Sequence, residues 1–94
     1  MRFEWNLAKD RANRLKHGVS FDTAALVFDD PAHLSVQDRH VDGEERWQTI
    51  GRVGPVVVLI VAHTYVDADG DETIRIISAR KSTRSERRRY EQGA

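Results

Sequence analysis

The 94-residue chain carries 15 basic and 15 acidic side chains and no cysteine, which fits one domain with a single modest core and excludes a disulfide framework or a cysteine-ligated zinc site. The longest apolar run, Val56–Ala62, is too short to span a bilayer and the amino terminus has no stretch of signal-peptide length, so the expectation is a soluble cytoplasmic protein without membrane contact. A net charge of zero argues against a nucleic-acid partner, but residues 1–21 hold five basic and two acidic groups, residues 22–72 three and eleven, and residues 73–94 seven and two.

In chain order, Arg2–Trp5 alternates enough for a strand, and Asn6 is an N-cap for a helix over Leu7–Lys16 that Gly18 closes. Ser20 caps a second helix with Phe21, Ala24, Ala25 and Phe28 along one face, and Asp29-Asp30-Pro31 stops it. A short strand at His33–Val36 precedes a polar stretch, Gln37–Gly43, that reads as a loop. Glu45–Val53 and Val56–Tyr65 flank Gly54-Pro55 as antiparallel strands, the second apolar enough to be central.

The segment Asp67–Gly70 turns the chain into a further strand, Glu72–Ala79. It imitates a calcium loop, but its glycine comes too early and Ser78 stands where the bidentate carboxylate belongs, so no metal is expected. Thr83 and Glu86 form a capping-box signature for a last helix to Gln92. The predicted architecture is a single α+β domain over residues 1–94: an N-terminal strand, two helices, a three- or four-stranded antiparallel meander and a C-terminal helix.

Arg75, Arg80, Lys81, Arg84, Arg87, Arg88 and Arg89 lie within fifteen residues of one another. Guanidinium groups offer paired donors that match phosphate oxygens, so this end points to a polyanion such as RNA. Arg75 and Arg80 fall on a strand and are the better candidates for chemistry; Lys81, Arg84, Arg87 and Arg88 suit RNA steering. Metal-free RNA cleavage also needs a proton acceptor and donor. His63, near the end of the apolar strand, is the preferred one, and His17, at the end of the first helix, is the second. No glycine-rich phosphate loop or serine-nucleophile elbow is present.

Four blocks, in this order and spacing, resemble the BrnT family of type II toxin–antitoxin ribonuclease toxins from end to end. They are Phe3-Glu4-Trp5 with Asn13 and Lys16-His17-Gly18-Val19-Ser20-Phe21; Val27-Phe28-Asp29-Asp30-Pro31; Glu44-Glu45-Arg46-Trp47 with Ile50-Gly51; and Arg75-Ile76-Ile77-Ser78-Ala79-Arg80 with Glu86 to Glu91. Asn6, where the family often has an acidic residue, and the long acidic turn over residues 66–71 depart from the pattern.

The resemblance implies a RelE-like fold, metal-independent RNA cleavage that arrests translation, and neutralisation by a BrnA-like ribbon-helix-helix antitoxin, through which alone the complex would bind operator DNA. It also implies functional roles for Lys16, His17, Arg75 and Arg80, and adds Arg46. The expected site therefore has Arg75 and Arg80 gripping the scissile phosphate, Lys16 and Arg46 assisting, His63 or His17 moving the proton, and no cofactor. The strand edges and the basic helix would permit a homodimer. The competing class is a noncatalytic module that binds nucleic acid or a protein partner through the same basic end.

Overall fold

The protein is described by a computed structural model covering residues 1–68 and 71–93. One five-stranded sheet is built from β1 (Arg2–Glu4), β2 (Leu34–Val41), β3 (Glu44–Val53), β4 (Val57–Ala68) and β5 (Asp71–Lys81), in the order β1-β5-β4-β3-β2. The most apolar strand, β4, holds the centre, where both of its faces can be covered. All neighbours are antiparallel except β1, which lies parallel to β5 at one edge.

The helices form where capping chemistry predicts. Asn6 accepts from the Lys9 N–H to open α1 (Leu7–His17), and Gly18, at φ 71°, closes it in the left-handed conformation. Ser20 accepts from the Thr23 N–H to open α2 (Phe21–Ala25), which tightens into a 3-10 turn over Leu26–Asp29. Thr83 and Glu86 form the expected capping box of α3 (Arg84–Gln92).

The core lies between the first two helices and one sheet face: Val19, Phe21, Ala24 and Val27 pack on Leu59, Val61, Ile74, Ile76 and Ala79. Gly51 permits the closest approach, since a Cβ there would lie 2.7 Å from Val27 Cγ1. The 3-10 turn can therefore rest directly on β3.

One expectation is corrected. The stretch Gln37–Gly43 is no loop: β2 runs to Val41 and joins β3 through Asp42 and Gly43, whose φ values of 50° and 79° make a tight hairpin turn. β2 is an edge strand whose middle is exposed on both faces, so backbone pairing holds it without any apolar alternation. The meander consequently has four strands, and β1 makes the fifth. Residues 69–70 of the turn expected at Asp67–Gly70 lie outside the described residues.

Candidate active site

Arg75 and Arg80 differ in parity and would occupy opposite faces of a regular strand. The ladder between β4 and β5 avoids this: Thr64 pairs with Arg75 and His63 with Ile76, but Ala62 pairs with Ser78. Ile77 is an extra, bulged residue, and it re-aims everything beyond it. Arg75, Ser78 and Arg80 thus stand opposite Thr64, Ala62 and Ile60, on the sheet face away from α1 and α2. The alternation of β3 adds Arg46 and Gln48 to that face.

The two ends of the face differ. α3 lies across one end: Glu86 holds Arg80 through two bonds of 2.8 and 2.9 Å, Tyr90 donates to Asp30, and the Arg52 guanidinium stacks over the Tyr90 ring at 5.7 Å. Glu86 is pulled down to about 2, chiefly by its bonds to Arg80, and Arg80 is raised by the same contact. Since Glu86 also closes the α3 cap by accepting from the Thr83 N–H at 2.8 Å, Arg80 anchors this helix to the sheet. Its β4 partner, Ile60, is four residues from that of Arg75, about 13 Å along the strand. A single phosphate held by both Arg75 and Arg80 would therefore require the Arg80 guanidinium to leave Glu86.

The other end is open. Arg75 reaches Glu44 at 3.3 Å and Glu4 at 3.6 Å. Beside it, Thr64 is buried and its hydroxyl has no partner, and the Nε of Arg46 is likewise buried and unpartnered. Buried donors without acceptors carry a penalty of about 1–3 kcal/mol each. An anion placed on Arg46, Thr64 and Arg75 would relieve it.

The remaining predicted residues do not converge here. His63 is reassigned to the core: it is fully buried on the opposite face, its Nε2 lies 2.7 Å from Thr49 Oγ1, and Phe28 and Tyr65 stack edge-on against its ring. Lys16 and His17 form the last turn of α1, on the helix side of the sheet. Lys81 lines a cleft with Gly18 and Leu59 on that side, and also one with Arg84 and Arg87 at the start of α3. Arg87 pairs with Glu91 at 3.6 Å, and Arg88 is exposed. From sequence, Thr64 stood out only as the neighbour of His63, Glu86 only as a helix cap and Glu44 only within the Glu44-Glu45-Arg46-Trp47 block; none was expected in the site.

Burial drives the His63 imidazole down to about 4, opposed only by the Thr64 backbone. The unfolded chain therefore binds a proton between pH 6.5 and 4 that the folded chain refuses, so stability is complete above pH 6.5 and falls through that window. Urea unfolding is expected to show a loss of up to about 3 kcal/mol across it. His63→Gln should flatten the slope, and an unchanged slope in that variant would remove the residue as its cause. Glu86, whose window runs from 4.5 down to 2, acts only at lower pH.

Two helices on one face, a C-terminal helix clamped across part of the other, and arginines on the strands left open define a small α+β domain with a basic sheet face. The chain belongs to the BrnT family: residues 5–86 match the family model for the ribonuclease toxin BrnT of type II toxin–antitoxin systems. Among solved structures it is similar to the 1.1 Å crystal structure of the Brucella abortus ribonuclease toxin BrnT, with a TM-score of 0.63 and 21% identity, covering 89% of this chain and 99% of that one. No curated protein matches the chain. Family membership implies an antitoxin partner. No helix among the described residues is long and apolar enough to cross a membrane.

Proposed function

We propose that the protein is a metal-independent endoribonuclease that seats its scissile phosphate on Arg46, Thr64 and Arg75. The observation that carries this reading is the pair of buried, unpartnered donors, Thr64 Oγ1, on the ladder partner of Arg75, and Arg46 Nε, one strand further along the same face. The RNA 2′-oxygen attacks the adjacent phosphorus, its proton passing to a base, and the 5′-oxygen leaves with a proton, producing a 2′,3′-cyclic phosphate. Guanidinium groups supply the positive charge that the pentavalent transition state requires. Glu44, already 3.3 Å from Arg75, is the carboxylate placed to receive the 2′-proton.

Arg84, Arg87 and Arg88 draw RNA toward the sheet by long-range attraction. A BrnA-like ribbon-helix-helix antitoxin would neutralise the enzyme in the cytoplasm by covering this basic face, and any contact with operator DNA would belong to that partner. The test is incubation of the purified protein with RNA in excess chelator. Shortened fragments ending in cyclic phosphate are expected. Binding without shortening would leave only the noncatalytic module.

A further inference from the structure

Pairing between β3 and β4 stops at Trp47 and His63, although β3 begins at Glu44 and β4 continues to Ala68. The two strands part there and leave a cleft of about 370 Å³ lined by Gly43, Glu44, Glu45, Trp47, Thr64 and Tyr65.

The lining has the chemistry of a base-binding pocket. Trp47 and Tyr65 meet edge to face at 5.4 Å, and Tyr65 keeps 41% of its surface in solvent, available for stacking. Thr64, only 2% exposed, brings an unpartnered hydroxyl to the cleft. Glu44 is held by Arg75, but the Glu45 carboxylate has no ion pair or side-chain hydrogen bond among the described residues.

We propose that this cleft, which Thr64 and Glu44 reach from the Arg75 face of the sheet and Trp47 and Tyr65 from the His63 face, is a nucleobase subsite that selects bases bearing an amino group, guanine above the others. The proposal rests on the ribonuclease reading of the Arg46 and Arg75 surface. Aromatic faces stack on any base, so Trp47 and Tyr65 supply affinity with little discrimination. Discrimination comes from Glu45. An ionised carboxylate only accepts, and its two oxygens match two N–H donors side by side. Guanine presents its ring N1–H and its exocyclic amino group in that way. Adenine and cytosine set an amino group beside an acceptor nitrogen, and uracil places its ring N–H between two carbonyl oxygens that repel the carboxylate.

The test uses 2′-O-methyl hexanucleotides, which lack the attacking hydroxyl and cannot be cleaved: one all uracil, the other with a single central guanine. Binding is read by tryptophan fluorescence. The guanine oligomer is expected to bind at least about tenfold more tightly, the effect of one good paired contact. Glu45→Gln, an isosteric change at an exposed position, should reduce that preference to under about threefold. Tyr65→Ala should weaken both oligomers about tenfold, while Tyr65→Phe keeps the ring and should change neither. Equal binding of the two oligomers, or full preference retained in Glu45→Gln, overturns the subsite. If the wild type still cleaves RNA in that case, the ribonuclease reading survives the loss. A guanine preference in a protein that never cleaves supports the subsite and overturns the ribonuclease.

Discussion

Alanine in place of Arg75 is expected to slow RNA cleavage by about 10²–10³-fold, the usual cost of removing one preorganised donor from a developing oxyanion. The same loss is expected for Arg46→Ala. Arg75 stands on a paired strand between β1 and β4, so its guanidinium approaches a bound phosphate from a fixed direction. Its ion pairs with Glu4 and Glu44 join side chains that are 40–49% exposed. Such pairs contribute about 0–1 kcal/mol, so the variant should melt close to the wild type and the rate loss cannot be assigned to unfolding. Arg75→Lys should recover little, because an ammonium lacks the paired donors. Lys16→Ala, on the other side of the sheet, should cleave at the wild-type rate. Single-turnover rates with a thermal melt for each variant decide the matter. Arg75→Ala within threefold of wild type would remove the phosphate from this surface.

The caps were legible because they are local. Asn6, Ser20, Thr83 and Glu86 act within three residues of themselves, and each helix begins where they indicate. β2 was not legible, since an exposed edge strand has no face to bury and therefore no period in its sequence. Asp42-Gly43 carried the hairpin signal instead. The basic end did identify the strand that bears Arg75, but nothing in Ile76-Ile77-Ser78 announces that one residue is bulged out. That single residue decides which face Arg80 joins. His63 was read as the proton carrier although its strand is apolar, and its partner Thr49, fourteen residues away, could be found only from the register of β3 on β4. Sequence therefore located the charged strand and the helices, and left to the fold which charges share a surface.

Asn13 shows the same division, and its replacement by alanine is expected to destabilise the protein by about 3–5 kcal/mol. β1 pairs with β5 only over Thr73–Arg75, so the edge of β5 beyond Ile76 has no neighbouring strand. α1 covers it, and Asn13, only 7% exposed, substitutes for the missing strand. Its amide nitrogen donates to the Ala79 carbonyl at 2.8 Å, and its oxygen accepts from the Ala79 N–H at 3.1 Å. The second amide hydrogen donates to the Val19 carbonyl at 2.9 Å and fixes the turn into α2. Truncation strands three buried backbone groups at once, and against a total stability of about 5–15 kcal/mol the loss is large. Asn13→Asp should be at least as harmful, because a carboxylate would face two carbonyls that need a donor. Urea midpoints give the size of the effect, and faster exchange of the Ala79 amide would place it at the edge of β5. A loss below about 1 kcal/mol with unchanged exchange would mean that water satisfies this edge equally well, and that α1 is held to the sheet by its apolar contacts alone.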